Sequence, residues 1–371
     1  MAPFNFSEDA NNQLLLNPRL SQAEQDLFFE LQLAFEKEFG LKNYFLVPSS
    51  GSSKKLNESI KLIALHREAV LNSARRFNQY FHASANDHWG LVLPLFHVAG
   101  LGTCARSFLA GAKVIENGDD PEIRFLSMVP TQVYDLVVAK TQAPPNLKSV
   151  FIGAGQLNEE VKQLALALKW PLIETYGMTE TASMVAVQIN KALKALPGVT
   201  FQTTNQQLKI SCDSLLTASI QKIDQMIQIK KPVQDGFYLT EDLAELRDDL
   251  LILKGRASEY VKISGEGVSL SELNEKLESV ALKRALPLTS LSLLAISQPR
   301  KGHELILAVE KSVDSETIKL VVQEFNQKVR PYEKIKKTVL VQRIPRSDLK
   351  KVKSQELSDL IIQTVKAERS K

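Results

Sequence analysis

Short apolar runs that end in polar turns alternate with helical patterns through residues 44–180. Strands are predicted at 44–47, 90–96, 112–115, 125–130 and 149–152, and helices at 21–39, 60–80 and 158–168. Alternation of this kind favours a doubly wound, mainly parallel sheet, because each crossover between parallel strands carries a helix across one face. Open α/β sheets bind ligands at the carboxyl ends of their strands, where the polar turns gather. The sequence therefore predicts an α/β fold with one ligand cleft at that edge.

The pattern changes after residue 256. Before it, residues 191–256 contain short alternating stretches and a hairpin near 235–242, which indicate antiparallel strands. After it, helices are predicted at 271–285, 314–329 and 354–367, with strands at 291–297, 304–310 and 338–344. A chain of 371 residues has the length of about two domains. We predict a large N-terminal domain, 1–256, with an antiparallel subregion, and a small α+β C-terminal domain, 257–371.

The composition is typical of a soluble globular protein, with 44% apolar and 24% charged residues. A net charge of +4 is too small to indicate a nucleic-acid partner. Cys104 and Cys212 cannot form a disulfide framework, which fits a reducing compartment. The N-terminus lacks the pattern of a secretory signal, and no apolar run approaches the roughly 20 residues that span a bilayer. We expect a cytoplasmic protein without membrane insertion, and the sequence leaves homo-oligomer formation open.

Residues 173–184 are the strongest candidate for a functional site. An apolar run leads into Tyr176, Gly177, Thr179 and Glu180. The tyrosine offers a flat face for a base, and the glycine permits close approach of the backbone. The threonine hydroxyl suits a phosphate, and the glutamate offers an oxygen ligand for Mg²⁺. Surface loops are also rich in threonine and glycine, so residue types alone leave both interpretations open.

A serine-rich loop is the second candidate. The predicted strand at 44–47 is followed by Ser49, Ser50, Gly51, Ser52 and Ser53, and then by lysines at 54 and 55. Backbone N–H groups, hydroxyls and cations in a loop of small residues suit phosphate oxygens. A flexible serine-rich turn is the alternative interpretation. The Gly-x-x-x-x-Gly-Lys-Ser/Thr pattern of P-loop NTPases is absent, so that class of protein is not supported.

Motifs along the chain resemble those of the adenylate-forming (AMP-binding) acyl-CoA synthetase superfamily, in the family's order. Tyr176–Glu180 is similar to the family's Tyr-Gly-x-Thr-Glu. The other matching segments are Ser49–Ser53 (phosphate loop), Gly153, Ala154 and Gly155 (adenine-binding turn), Tyr238–Asp242 (Thr-Gly-Asp motif), Gly255–Arg256 (domain hinge), Ile263–Val268 with Gly265 and Gly267 (Ser-Gly-Gly-Glu-Asn loop), and Ile344–Val352 (Pro-Arg-Thr-x-x-Gly-Lys-Ile). The chain departs from the family at positions 54, 241 and 350, where Lys, Glu and Lys replace glycine, and in a shortened N-terminal subdomain.

The resemblance implies that ATP activates a carboxylic acid as acyl-AMP, and that coenzyme A then takes the acyl group. It implies Lys351 as the catalytic lysine, Thr179 at the α-phosphate and Glu180 as the ligand of Mg²⁺. The residues implied for nucleotide binding are Ser49, Ser50, Gly51, Ser52, Ser53, Gly153, Ala154, Gly155, Tyr176, Gly177, Thr179, Asp242, Arg256, Gly265 and Gly267. Among them, Asp242 and Arg256 would hold the ribose.

Within the family, the resemblance is greatest to the ligases that convert o-succinylbenzoate to its CoA thioester in menaquinone synthesis. It rests on Pro94–Leu101, Val129–Gln132 and Tyr176–Thr181. The residues implied for the acid pocket are His97, Thr131, Gln132 and Ser183, although a histidine beside an apolar strand is also common as a structural residue. Two alternatives stay open. One is a ligase for another aryl or medium-chain acid, and the other is a degenerate paralogue that binds nucleotide without turnover.

Overall fold

The computed structural model describes residues 4–50, 60–298 and 302–369. It divides into two compact units, each assembled from separate stretches of the chain. The first unit contains Met1–Met128, Ala143–Gly155 and Trp170–Lys254, and the second contains Val129–Gln142, Gln156–Lys169 and Gly255–Lys371. None of the helices in the described ranges is both long and apolar enough to cross a membrane.

The α-helices of the described ranges are α1 (Gln22–Phe39), α2 (Arg67–Tyr80), α3 (Val98–Ala110), α4 (Pro130–Val138), α5 (Glu159–Ala167), α6 (Leu270–Leu282), α7 (Ser315–Gln327) and α8 (Ser354–Arg369). The strands are β1 (Gln13–Leu14), β2 (Tyr44–Ser50), β3 (Ile60–His66), β4 (His88–Gly90), β5 (Val114–Ile115), β6 (Ile123–Met128), β7 (Ser149–Ile152), β8 (Leu172–Met178), β9 (Ser183–Ile189), β10 (Ala192–Ala195), β11 (Thr200–Thr204), β12 (Gln207–Ser211), β13 (Ala218–Ile223), β14 (Met226–Lys230), β15 (Val233–Gln234), β16 (Phe237–Arg247), β17 (Leu250–Arg256), β18 (Tyr260–Ile263), β19 (Glu266–Ser269), β20 (Leu291–Gln298), β21 (Gly302–Glu310) and β22 (Lys337–Val341). Short 3₁₀ helices cover Thr179–Thr181, Ala257–Glu259, Leu288–Ser290 and Pro331–Glu333.

The predicted α/β fold is confirmed, and a 12-stranded mixed sheet runs through the first unit. Its order is β11-β12-β16-β17-β10-β9-β8-β7-β6-β4-β5, and β15 pairs with β16. The strands from β4 to β8 pair in parallel, whereas those from β8 to β12 pair antiparallel with their neighbours. Strand β8 has a parallel neighbour on one side and an antiparallel neighbour on the other. The switch between the two halves of the sheet therefore falls on the strand that carries the strongest sequence motif.

A second, 5-stranded sheet in the first unit has the order β1-β2-β3-β13-β14. Helix α1 packs on it through Phe28, Leu31 and Phe35, and begins at a capping box formed by Ser21 and Glu24. In that box the Ser21 hydroxyl accepts from the Glu24 N–H, and the Glu24 carboxylate accepts from the Ser21 N–H at 2.8 Å. The helix prediction at 21–39 is confirmed.

The helix predicted at 60–80 is wrong in its first part. Residues 60–66 form β3, which pairs with β2 on one side and with β13 on the other. Helix α2 begins only after His66, whose ring nitrogen accepts from the Glu68 N–H at 3.2 Å. Pairing on both edges satisfies the backbone groups of this apolar stretch, and it outweighs the local helical pattern.

The strand predicted at 90–96 is also wrong beyond Gly90. The chain leaves β4 after Gly90 and turns before α3, with His97 in the N-cap position. Helix α3 approaches this turn closely. A Cβ on Gly100 would lie only 2.3 Å from the Pro94 carbonyl oxygen. The glycine is therefore required by a backbone contact, and His97 is placed at the start of a helix.

The second unit contains a 5-stranded sheet of order β19-β18-β21-β20, in which β22 pairs in parallel with β21. Helices α6 and α7 pack on it through Leu273, Leu277 and Phe325. Helices α4 and α5 belong to the same unit, since Tyr134 of α4 donates to the Leu286 carbonyl at 2.7 Å. Asn158, the N-cap of α5, donates to the Glu275 carbonyl at 2.9 Å. The domain boundary after residue 256 remains our proposal.

Glu278 makes the stability of the second unit depend on pH. Burial, followed by the nearby Glu275 carboxylate, raises the pKa of Glu278 to about 7, although Arg346 acts in the opposite direction. The folded state thus binds this proton more tightly than the unfolded state, and stability is lost as the pH rises toward 7. The free energy of unfolding should fall by about 1–2 kcal/mol between pH 5.5 and pH 8 because of this carboxyl group.

Urea denaturation of Glu278→Gln at both pH values checks this prediction. The variant should be more stable than the parent at pH 8, and its advantage should shrink at pH 5.5. Glu266→Gln, at an exposed position in the same unit, serves as the control. An equal difference between Glu278→Gln and the parent at the two pH values would contradict the prediction.

Candidate active site

Strand β8 extends further into the motif than the sequence indicates. The polar turn was predicted to begin near Tyr176, but both Tyr176 and Gly177 lie within the strand. The turn itself is the 3₁₀ helix Thr179–Thr181. A register shift between Tyr176 and Gly177 accommodates β9, which returns directly beside β8. Double pairing extends the strand, and the turn then holds Thr179 half-buried and Glu180 buried.

Gly177 is fixed by a close backbone contact. A Cβ at this position would lie 2.0 Å from the Ser183 carbonyl oxygen and 2.6 Å from its carbon. The Thr181 hydroxyl donates to the same carbonyl at 2.7 Å, so the turn cannot readily move away. We expect Gly177→Ala to lower the free energy of unfolding by about 1–3 kcal/mol, through overpacking against backbone.

Urea denaturation, followed through far-ultraviolet circular dichroism so that both units contribute to the signal, measures this effect. Gly267→Ala is the matched control, because no heavy atom lies within 4 Å of a Cβ there. Gly267 also has no positive φ that a side chain would strain. If the two variants proved equally stable, the contact with Ser183 would not explain the glycine.

Tyr176 and Asp242 meet beside the motif. The Tyr176 hydroxyl donates to Asp242 Oδ2 at 2.5 Å, and Asp242 is buried on β16. The Thr240 hydroxyl accepts from the Asp242 N–H at 3.1 Å and donates to the Leu208 carbonyl at 3.0 Å. This chain of hydrogen bonds orients a carboxylate next to an aromatic ring, an arrangement that can bind the hydroxyls and base of a nucleoside.

The turn after β7 borders the same strand. The Gly153 N–H donates to the Met128 carbonyl at 3.1 Å, Ala154 has a left-handed φ of +64°, and Gly155 is exposed. The Thr175 hydroxyl of β8 donates to the Ile152 carbonyl at 2.9 Å. These contacts place the end of β7 beside β8, so the turn 153–155 follows the strand that neighbours the one carrying Tyr176.

Glu180 is held by a cation that the sequence analysis did not select. Lys61 Nζ of β3 lies 2.9 Å from Glu180 Oε1, and the two side chains are 25% and 12% exposed. The Tyr238 hydroxyl of β16 also lies near the Glu180 carboxylate. Burial and the neighbouring carboxylates raise the pKa of Tyr238, so its hydroxyl remains a donor. The lysines expected to meet phosphate, at 54 and 55, lie outside the described residues.

Ser183 contacts Arg106 of α3, a second cation that no sequence motif indicated. The Arg106 guanidinium donates to the Ser183 hydroxyl at 2.9 Å and lies 4.3 Å from the ring centroid of Phe77. It is almost fully buried, and its Nε has no hydrogen-bond partner among the described residues. Burial lowers the pKa of Arg106 to about 9, so it is charged at neutral pH. A Cβ on Gly102 would lie 3.3 Å from Ser183 Oγ, so this glycine keeps the space beside the pair open.

The model of the AMP-binding enzyme family matches residues 60–215. Over that range the chain is similar to AMP-binding enzymes. It is 27% identical over 277 residues to 2-succinylbenzoate–CoA ligase of Escherichia coli (strain K12), and the alignment covers 71% of this chain and 59% of that relative. The chain thus spans about three-fifths of that relative's length.

Solved structures of AMP-binding enzymes share the fold. An o-succinylbenzoate CoA synthetase (MenE) from Bacillus subtilis, in complex with the acyl-adenylate intermediate OSB-AMP, matches with a TM-score of 0.69 at 17% identity, covering 85% of this chain and 69% of that one. ATP-bound MatB from Rhodopseudomonas palustris matches with a TM-score of 0.66 at 18% identity, covering 85% and 68%. The protein therefore has the fold of MenE and MatB.

Several of the predicted site residues lie in the second unit. Thr131 and Gln132 form the first turn of α4, where the Gln132 side-chain oxygen accepts from the Val129 N–H at 3.0 Å. The Thr131 hydroxyl is buried without a hydrogen-bond partner within the described residues. Gln132 therefore helps to cap the helix, whereas Thr131 keeps its hydrogen-bonding capacity.

The remaining motifs of the second unit are turns. Arg256 ends β17, and its N–H donates to a Glu259 carboxylate oxygen at 3.5 Å. Gly265 has a φ of +90° in the hairpin between β18 and β19, and Gly267 follows it on β19. Lys351 is exposed in a turn closed by its own carbonyl, which accepts from the Ser347 N–H at 2.7 Å.

The predicted phosphate loop is described only in part. Ser49 and Ser50 end β2 and pair with Lys61 and Ile60 of β3. Gly51, Ser52 and Ser53 lie outside the described residues. Because Ser49 and Lys61 are cross-strand neighbours, the two ends of this loop lie beside the Lys61–Glu180 pair.

Proposed function

We propose that this protein is an acid–thiol ligase, which activates a carboxylate with ATP and transfers the acyl group to coenzyme A. The arrangement of Tyr176, Asp242, Glu180 and Lys61 around β8 carries the proposal. It provides an aromatic face, a carboxylate for hydroxyl groups, and a carboxylate–lysine pair for charged phosphates. The name of the E. coli relative and the bound acyl-adenylate of the Bacillus subtilis structure support the same chemistry.

In the first step, a carboxylate oxygen of the acid attacks the α-phosphorus of ATP. The bond to the bridging oxygen breaks, pyrophosphate leaves, and acyl-AMP remains. Negative charge gathers around the α-phosphorus, so positioning and electrostatic stabilisation dominate catalysis. We assign the Thr179 hydroxyl and the Lys351 ammonium to the oxygens of the α-phosphate, and Tyr176 and Asp242 to the adenosine.

Glu180 offers Mg²⁺ one carboxylate ligand. This ion is commonly held by one or two carboxylates together with substrate phosphates, and when bound it neutralises phosphate charge. Within the described ranges, no cluster of three His, Cys, Asp or Glu side chains forms a complete metal cage. A single carboxylate at Glu180 is consistent with a metal that arrives on the nucleotide rather than one that resides in the protein.

In the second step, the thiol of coenzyme A loses its proton to solvent, and its sulfur attacks the acyl carbon. The bond from that carbon to the phosphate oxygen breaks, and AMP leaves. A carboxylate alone is a poor acyl donor at neutral pH, whereas an acyl phosphate anhydride has a good leaving group. The residues around β8 therefore act mainly by holding AMP in place while the acyl group departs.

We further propose o-succinylbenzoate as the acid. This substrate carries a second carboxylate, which needs a cation or hydrogen-bond donors. Arg106 supports the assignment, because its buried guanidinium has an unused Nε and no carboxylate among the described residues lowers its cost of burial. Buried charges are normally paired, and an anionic substrate would supply the missing partner. Ser183 would then border the acid, together with His97 at the start of α3.

Pyrophosphate release with ATP, Mg²⁺ and a panel of acids tests the proposal. Release with o-succinylbenzoate is expected to exceed release with benzoates and medium-chain acids. No release with any acid would exclude both ligase assignments and favour a nucleotide-binding protein without turnover. Release with benzoates but not with o-succinylbenzoate would exclude only the substrate assignment. Thioester formation after addition of coenzyme A checks the second step.

A further inference from the structure

The pair formed by Lys61 and Glu180 sets a condition on metal binding. Lys61 Nζ lies 2.9 Å from Glu180 Oε1, within hydrogen-bond distance of one of the two oxygens that this carboxylate offers to a metal. Both side chains are largely shielded from water, with exposures of 25% and 12%. Shielding strengthens the attraction relative to a surface pair, so the ammonium group is a real competitor for this carboxylate.

The rest of the Glu180 environment adds donors rather than further cations. Tyr238 contributes a hydroxyl, and the backbone carbonyl of Glu180 is occupied by the Leu216 N–H at 2.8 Å. Glu241 and Asp242 are also near enough to Tyr238 to raise its pKa. The negative charges around this tyrosine therefore exceed the single positive charge of Lys61. Lys61 is therefore the cation that balances Glu180 in the described part of the chain.

A lysine ammonium and Mg²⁺ compete for the negative charge of one carboxylate. Mg²⁺ binds oxygen at roughly 2.1 Å and holds its ligands in strict octahedral geometry, whereas the ammonium already lies 2.9 Å from Glu180 Oε1. The two cations also repel each other. Binding of the metal to Glu180 is thus weaker while Lys61 stays in place, and the long flexible stem of lysine permits it to move away.

We propose that Lys61 is an exchangeable counter-ion, which blocks Glu180 to free divalent cations and yields it only to a metal that arrives with nucleotide. The inference deepens the proposed function and rests on it. Phosphate oxygens brought by the nucleotide offer the displaced ammonium a new anionic partner, so the exchange conserves its charge pairing. A free metal ion offers no such partner. Lys61 is accordingly a positioning residue that couples metal binding to nucleotide binding.

Binding of Mn²⁺, followed by electron paramagnetic resonance, tests this coupling in the full chain. Lys61→Met should strengthen binding of free Mn²⁺ by about fivefold, because the competing cation is gone. The same variant should weaken binding of ATP in the presence of Mn²⁺ by about fivefold, because a cation near the phosphates is lost. The affinity for free Mn²⁺ should thus rise while the affinity for ATP falls, whereas loss of local structure would lower both affinities.

Two further variants complete the experiment. Lys61→Arg keeps the charge and should retain the weak binding of free Mn²⁺ seen in the parent. Lys222→Met removes a lysine that pairs with Glu30 at 2.9 Å on the surface, and should change neither measurement. Thermal melting of every variant confirms that it is folded.

The proposal is overturned if Lys61→Met binds free Mn²⁺ no more tightly than the parent, or if neither protein binds it. It is also overturned if both affinities change in the same direction. The assay contains no acid and no coenzyme A. Failure to form a thioester would therefore refute the proposed ligase function while leaving these two measurements, and the exchange they detect, to stand on their own.

Discussion

Replacing Lys351 with alanine should lower acyl-adenylate formation by about 10²–10³-fold, the usual cost of removing one contact to charge that develops in a transition state. Thioester formation from supplied acyl-adenylate should be nearly unchanged, because that step develops its charge at the acyl carbon. The substitution should leave the turn intact, since Ser347 and Arg346 bind the backbone carbonyls of residues 351 and 350 at 2.7 and 2.8 Å. Separate assays of pyrophosphate release and of CoA thioester formation measure the two steps.

Lys353→Ala is the matched control for this experiment. Lys353 is exposed, lies two residues further along the chain, and pairs with Glu356 on the first turn of α8. Its loss removes the same charge without touching the proposed catalytic position, so both half-reactions should continue. Equal loss of both half-reactions in Lys351→Ala would show that the lysine is not specific to adenylation.

Lys350 shows how far a family motif predicts local structure. The family has glycine at this position, and here a lysine adopts a left-handed φ of +62°. Residues other than glycine adopt this conformation at a cost, so the turn is imposed by its hydrogen bonds rather than by residue preference. A left-handed turn therefore forms where the family has glycine, even though the residue that normally makes such a turn easy is absent.

The fold was largely predictable because its strands and helices have clear periodicity and marked ends. The capping box at Ser21 and the apolar runs of β6 and β7 led directly to the observed elements. The errors at residues 60–66 and beyond Gly90 have a common origin. Both stretches owe their conformation to partners that are distant in sequence, and local patterns do not contain that information. The same is true of β8, which is extended by its pairing with β9.

The motifs led to the residues that meet around β8, but not to the cations beside them. Lys61 was missed because the two lysines nearer to the serine-rich loop matched the expected position better. Only the register between β2 and β3 brings Lys61 into place. Arg106 was missed because an arginine in a helix is usually exposed. One signal was available, since Arg106 is the only charged residue between Val98 and Ala110.

Replacing Arg106 with methionine should raise the KM for o-succinylbenzoate by about 10²-fold, because a buried cation that pairs with a substrate carboxylate is worth roughly 2–5 kcal/mol when one partner is truncated. An aromatic acid without the second carboxylate should be adenylated at nearly the parent rate. The stability of the protein should not fall in proportion, since methionine fills a similar volume beside Phe77 and relieves the burial of an unpaired charge. Pyrophosphate release with the two acids and urea denaturation give these three quantities.

Arg67→Met provides the contrasting control. Arg67 is equally buried, but it donates to the backbone carbonyls of Asn5 and Asn11 at 2.7 and 2.6 Å. Its loss leaves buried acceptors unsatisfied, so we expect lower stability and no change in the preference between the two acids. An equal loss of kcat/KM for both acids in Arg106→Met would contradict the substrate assignment, because a residue that supports only the local packing of α3 cannot distinguish acids that differ in one carboxylate.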